Sequence, residues 1–436
     1  MRIRLITLIL LLIIQLPVWA QRSSNVLAEG SPELVGISEK RLQLLDQFIQ
    51  DNVNKGFIPG GVFLVARDNQ IVYNKSFGFR STDKKVPYKK DDIFRICSMT
   101  KAITSVAIMQ LYEEGKLGLD DAVQDYIPAF KKTQVLDTFN EKDSTYTTVP
   151  VKSPITLRQL LTHTSGITYG GFNPGKIMAV YQKNDMLSVG LSHPSWTTEE
   201  FINRLAAVPL AFQPGDYFMY GLNMDVLGRV IEVISGEKLS DYFRKHIFEP
   251  LGMKDTYFYL PKEKQSRLVP IYGYDANNNF QMLTTDALVS NPDYPKSTDI
   301  GHYAGGGGLS STAMDYAIFI QSLLNDGVYS GKRILGRKTI EVMTADQMIS
   351  LNQQGKGISN KPGETFCLGF SLCTDEGRGI NSKSPGTYEW GGYFTTKFFI
   401  DPKEELIFVG MMQIHNFQHG EFYDRVAAIL YGAIEE

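Results

Sequence analysis

Phe94-Arg95-Ile96-Cys97-Ser98-Met99-Thr100-Lys101-Ala102-Ile103-Thr104-Ser105-Val106-Ala107-Ile108-Met109 is the stretch on which the reading of this chain turns. An apolar approach over 94–97 leads to Ser98, and Ala102, Ile103, Val106, Ala107, Ile108 and Leu111 then follow at helical spacing. On a helix, residues three apart share a face, so the Lys101 amine can reach the Ser98 hydroxyl. A serine is a poor nucleophile until an adjacent base takes its proton, and a buried lysine can be that base. A serine at a helix N-terminus also turns its own N–H toward developing negative charge. The same spacing recurs at Ser81-Thr82-Asp83-Lys84, but in a charged, hairpin-like loop where the lysine would be solvated. Ser98 and Lys101 are therefore the candidate nucleophile and base.

Working outward, residues 38–53 form an amphipathic helix closed by Gly56. Residues 61–67 and 70–77 read as strands around an Asp68-Asn69 turn. The far end mirrors this, with strand-like runs at 366–373, 395–400 and 406–413 and a helix over 421–434. The middle carries helical patterns, such as 225–235 stopped by Gly236, between polar stretches at 131–152, 261–299 and 352–365 that read as surface loops or flaps. Strand blocks at both ends with a helical middle predict an α+β fold: one antiparallel sheet flanked by helices, with an inserted, mostly helical domain. The α/β part would take about 30–95 and 300–436 and the helical part about 96–299, with a cleft between them. A length of 436 residues fits two or three such units.

With 43% hydrophobic and 21% charged residues, the composition is that of a globular protein and excludes disorder, coiled coil and a polytopic membrane protein. The net charge of −3 and the lack of a basic run interleaved with aromatics exclude nucleic acid as a partner. Residues 1–20 read as a signal peptide: Arg2 and Arg4, an apolar run too short to span a bilayer, then Val18-Trp19-Ala20 before a cut. Export to the periplasm or medium is expected, with no membrane span afterwards. Cys367 and Cys373 share what reads as one strand, which would hold them ~20 Å apart, beyond bridging distance. Cys97 is expected to pack as a small buried hydrophobe. His163, His193, His246, His302, His415 and His419 fit no zinc spacing, so no metal is expected. No Gly-x-Ser-x-Gly elbow occurs.

Three blocks together resemble a known family: FRICSMTKAITSVAIMQLYEEGKLGLDD (94–121), PITLRQLLTHTSGI (154–167) and GGGGLSSTAMDYAIF (305–319). They are similar to the serine hydrolases related to class C β-lactamases, a family that includes penicillin-binding DD-peptidases, D-aminopeptidases and family VIII carboxylesterases. The resemblance runs from about 37 to 434 and implies the two-part fold above, an acyl-enzyme and no cofactor. It further implies a tyrosine just before a DVLG-type helix. Tyr220 fits there, as the phenol that exchanges a proton with Lys101. The family's amide-holding Asn would follow two residues later, where this chain has Leu222, with Asn223 one step late. The family's Lys-Thr-Gly strand is matched by Trp390-Gly391-Gly392. The next N–H, that of Tyr393, would be the second oxyanion donor beside Ser98 N–H. The four glycines 305–308 lack the Lys-Ser/Thr of a phosphate loop and read as a structural turn on the cleft wall.

Leu222 and Trp390 are shared with the esterase-like branch. They favour a carboxylesterase on short-chain esters over a β-lactamase, a D-amino-acid peptidase or a non-catalytic cell-wall sensor. With no cation at Trp390, neutral esters are expected ahead of cephalosporins, and carboxylate-ended D-peptides last, unless a cation from the Lys383 region takes over.

Overall fold

The computed structural model describes residues 26–172, 175–187, 191, 195–274, 280–283, 294–358 and 363–435. The expected leader at 1–20 and His193 lie outside the described residues.

Strands Ala28–Glu29 (β1), Gly60–Arg67 (β2) and Gln70–Ser81 (β3) build one end of a nine-stranded sheet. Asp68 and Asn69 join β2 to β3 with φ of 46° and 60°. This is the left-handed backbone of a tight primed hairpin turn, which Asp and Asn tolerate better than most residues. The C-terminal strands continue from β2 in the order Leu406–Met411, Thr396–Asp401, Tyr388–Gly392, Ser371–Cys373 and Glu364–Phe366. Val86–Pro87 pairs with β3. The seam between the two ends of the chain runs from Leu406 opposite Arg67 to Met411 opposite Val62. All these pairings are antiparallel except β1 with β3, a short parallel pair at the edge.

β2 shows why the sheet is covered on both sides. Val62, Leu64 and Ala66 join one apolar cluster, whereas Phe63 and Val65 join another. A strand apolar at every position needs two covered faces. Helix α1 (Glu39–Asn54) and the helix Phe422–Tyr431 cover one face through Leu42, Leu45, Ile49, Val426 and Leu430. Helix α2 (Thr100–Glu113) and the helix Ala313–Leu324 cover the other. Every residue of α2 from Thr100 to Leu111 is buried, so this helix sits inside the molecule. Asn223–Ser235 packs against it, and Gly236 ends that helix in the left-handed conformation.

Two readings from sequence are corrected. Residues 366–373 are not one strand: Phe366 pairs with Ser371 across a hairpin that reverses at Gly369, whose φ is 95°. The spacing argument for Cys367 and Cys373 therefore fails, although both are free, buried thiols. A period-two pattern cannot show a reversal that falls on its own glycine. The stretch 131–152 is also more than loop, because Gln134–Phe139 and Tyr146–Pro150 form a hairpin within the helical part. Among the described residues, no helix is long and apolar enough to cross a membrane.

Candidate active site

Ser98 stands where the approach strand meets α2. Phe94–Arg95 pairs with Ser310–Ser311, and the chain then turns sharply through Cys97 at φ 45°. A non-glycine residue in that region costs on the order of 1–3 kcal/mol, which the surrounding packing must offset. The Cys97 side chain is buried with Leu191, Ile271, Tyr294 and Phe394, as expected of a small hydrophobe. Ser98 follows in a short 3-10 turn, Cys97–Met99, that runs into α2.

Lys101 lies one turn on and is 1% exposed. Its ammonium donates to Ser98 Oγ at 3.3 Å, to the Tyr169 hydroxyl at 3.1 Å and to the Gly306 carbonyl at 2.5 Å. Three donors meet three acceptors, which satisfies the group without water. The glycine run is bound to α2 along its length: Thr104 Oγ1 donates to Gly305 O at 2.7 Å, and Leu309 N–H donates to Thr100 Oγ1 at 3.1 Å. A Cβ on Gly306 would lie 2.4 Å from Asp225 Oδ2 and 3.1 Å from the Tyr169 hydroxyl. The run is thus a turn, as read from sequence, and also the platform that holds Lys101.

Asp225 enters from the neighbouring helix. Its Oδ1 accepts the Gly306 N–H at 3.3 Å, and Oδ2 has no hydrogen-bond partner among the described residues. Burial pushes its carboxyl up to about 6, although Lys101 and the Gly306 N–H pull the other way. Tyr169 is pushed well above the usual phenol range, first by burial and then by Tyr220 and Asp225, so it is a neutral phenol.

Tyr220 presents its ring to Lys101, with Nζ 4.6 Å from the centroid, and its hydroxyl accepts the Trp390 indole N–H at 3.3 Å. The phenol bonded directly to Lys101 is Tyr169, which sequence reasoning missed. It lies two residues beyond the PITLRQLLTHTSGI block, and a lone tyrosine there carries no signal of its own. His163 is buried beneath Tyr220, with ring centroids 4.7 Å apart. Burial first, and the Lys101 charge second, depress its pKa well below the usual imidazole value, which leaves it neutral. Its Nδ1 accepts the Gly221 N–H at 3.3 Å and faces Asn223 Nδ2 at 2.9 Å. Asn223 also takes the Ser165 hydroxyl at 2.5 Å and donates to Ile167 O at 3.3 Å, while Leu222 is fully buried. Both residues serve the packing of the helical part.

Ser98, Tyr169, Tyr220, Trp390, Gly391, Gly392, Tyr393 and Lys397 line one cleft of about 350 Å³. Gly392 permits the close approach of its strand to the Ser98 turn, since a Cβ there would lie 2.4 Å from the Ile96 carbonyl. The candidate nucleophile, both phenols and the candidate oxyanion strand therefore share one concavity, with Lys101 buried behind Ser98 and Tyr169. A larger cavity of about 560 Å³ shares no lining residue with it. Among the described residues, no cluster of His, Cys, Asp and Glu could hold a metal ion.

This fold, with a serine and a lysine one turn apart at the head of a buried helix, defines the protein as a serine hydrolase. The chain belongs to the Beta-lactamase family, whose model matches residues 45–433. It is 33% identical over 372 residues to protein Rv1367c of Mycobacterium tuberculosis, covering 84% of this chain and 88% of that one. It is 30% identical over 388 residues to the lovastatin esterase of Penicillium rubens, covering 85% and 92%. Among solved structures, EstCE1, a hydrolase with promiscuous acyltransferase activity, is 26% identical with a TM-score of 0.76, covering 90% of this chain and 98% of that one.

Proposed function

We propose that the protein is an exported carboxylesterase that cleaves short-chain esters through an acyl-enzyme. In this reading Lys101 acts as the free amine: Ser98 attacks the ester carbonyl, its proton passes to the Lys101–Tyr220 pair, and that pair returns a proton to the leaving alcohol. The N–H groups of Ser98 and Tyr393 stabilise the oxyanion. Water then takes the alcohol's place and releases the acid.

The observation that carries the ester reading is the disposition of Leu222 and Asn223. Leu222 is buried, and the Asn223 amide is engaged by His163, Ser165 and Ile167. Neither offers a side-chain amide to a scissile peptide or β-lactam. An ester needs that contact less, because its leaving group is better. The likeness to a lovastatin esterase and to EstCE1 supports the same side.

The test is a comparison of kcat/KM on p-nitrophenyl butyrate, a chromogenic cephalosporin and a D-alanyl-D-alanine peptide. The ester is expected first, by at least about a hundredfold, or ~2.7 kcal/mol of transition-state preference. Faster hydrolysis of the cephalosporin or the peptide would refute the esterase reading. A stable adduct without turnover on any of the three would point to a sensor.

A further inference from the structure

Among the described residues that line the Ser98 cleft, Lys397 alone carries a charge. It stands directly opposite Gly391 in the antiparallel pairing of Tyr388–Gly392 with Thr396–Asp401. Its aliphatic stem lies over that glycine, with Cδ 3.6 Å from where a Cβ would stand. Its ammonium is 2.9 Å from Glu389 Oε1.

Glu389 already has a cation. Lys383 donates to its other oxygen, Oε2, at 2.6 Å. Burial would raise the Glu389 carboxyl, but Lys397 and Lys383 together outweigh it and hold the group at about 2. Two ammonium groups thus share one carboxylate. Were Lys397 present only to neutralise Glu389, Lys383 would make it redundant. A structural lysine would also have no reason to border the cleft. The second cation can turn to a ligand anion while Glu389 keeps Lys383, so the switch leaves no buried charge unpaired. Lys101 cannot take this part, because its three protons are committed to Ser98, Tyr169 and Gly306.

We infer that Lys397 anchors a carboxylate of the substrate, and that the protein's preferred substrates are esters bearing a free carboxylate, such as hemiesters of short dicarboxylic acids. This rests on the esterase reading above and narrows it. It also revises the expectation that neutral esters lead, since the cation missing at Trp390 is supplied from the neighbouring strand. The carboxylate can sit on the acyl part or on the leaving group, and the two sources are separable by experiment.

Four esters serve: mono-p-nitrophenyl glutarate with an acyl-side carboxylate and p-nitrophenyl butyrate as its neutral reference, and 4-acetoxybenzoate with a carboxylate on the leaving group and phenyl acetate as its neutral reference. For the wild type, kcat/KM for one of the two anionic esters is expected to exceed that of its neutral counterpart, p-nitrophenyl butyrate or phenyl acetate. The one that does so identifies the source. In Lys397→Met that anionic-to-neutral ratio should fall at least tenfold, mainly through KM. Lys397→Arg should hold it within about threefold. A ratio unchanged in Lys397→Met, or lost equally in Lys397→Arg, would overturn the assignment. Should Lys397→Met fail to fold, glutarate binding to the wild type by calorimetry keeps the test open. Affinity should drop at least tenfold when Ser98 is untouched and Lys397 is changed to Gln, and equal affinity would count against Lys397. That binding needs no turnover, so a protein that binds glutarate through Lys397 yet hydrolyses no ester would refute the esterase reading and leave the anion site standing.

Discussion

Lys101 meets Ser98, Tyr169 and Gly306 at once, and this single side chain ties the candidate nucleophile to the helical part and to the glycine turn. Removing Ser98 therefore removes the one hydroxyl, among the described residues, with both a helix N-terminus and a buried lysine. Ser98→Ala is expected to cost at least about 3 kcal/mol of transition-state stabilisation, more than a hundredfold in kcat/KM on p-nitrophenyl butyrate. Ser81→Ala should not slow turnover, because Ser81 ends β3 and its hydroxyl accepts only the Lys84 N–H, at 3.4 Å. A reversed result would move the nucleophile to Ser81. Tyr169 holds Lys101 by a hydrogen bond and Tyr220 by the face of its ring, so the two phenols should separate in kinetics. Tyr220→Phe is expected to lower kcat about a hundredfold, the scale of a lost proton-transfer group. Tyr169→Phe, which loses a positioning contact, should lower kcat about tenfold and alter the pH profile of kcat. Equal losses with identical profiles would refute that division of roles.

At the scale of elements, the site depends on how closely the Tyr388–Gly392 strand approaches the turn before α2. An alanine at 392 would place its Cβ 2.1 Å from Thr396 Oγ1 and 2.4 Å from the Ile96 carbonyl. The second neighbour is backbone and cannot swing away, so the strand must move and carry the Tyr393 N–H with it. Gly392→Ala should cost about 1–3 kcal/mol of stability and at least tenfold in kcat. Gly420→Ala, where a Cβ meets nothing within 4 Å, is the matched control. An active, fully stable Gly392→Ala would show that the strand has slack. Much of this layer was legible in the sequence. The β2–β3 turn announces itself in Asp68-Asn69, and helices Asn223–Ser235 and Ala313–Leu324 show their apolar spacing and their ends. What escaped did so for physical reasons. The reversal at Gly369 hides inside an alternating run, and the hairpin within 131–152 pairs a strand that buries two adjacent residues, Val135 and Leu136, with a mostly exposed one, so neither strand alternates cleanly enough to read. Tyr169 and Lys397 reach the cleft only through long-range packing, from segments 68 and 296 residues away from Lys101 in the chain, and no local spacing reports that.

For the whole molecule, two carboxylates, half-buried Glu389 and buried Asp225, set opposite slopes of stability against pH. Glu389 is held at about 2 by Lys397 and Lys383, against the effect of burial. Its contribution is complete above the unfolded value near ~4.3 and is lost as pH falls through the folded one. Asp225 runs the other way. Burial raises it to about 6, whereas the unfolded chain titrates it near ~3.9. Between about pH 4 and 6 the folded state holds more protons at this site than the unfolded state does, so the Asp225 term makes the fold more stable as pH falls through that window. Above pH 6 the term is a constant cost of about 3 kcal/mol, an upper bound for a buried group beside a cation. The site accepts that cost because the Asp225 carboxylate receives the Gly306 N–H and faces the Lys101 charge. Asp225→Asn removes the titration and keeps the shape. Denaturant unfolding of both proteins from pH 4 to 8 should show their stabilities converging toward pH 4 and the variant gaining on the wild type up to pH 6, with a constant difference above it. The same variant should shift the pH profile of kcat on p-nitrophenyl butyrate, since Lys101 loses the anion across Gly306. A difference independent of pH across the window would mean that Asp225 titrates alike in both states, and the electrostatic account of Lys101 would then have to be rebuilt on Tyr169 and Tyr220 alone.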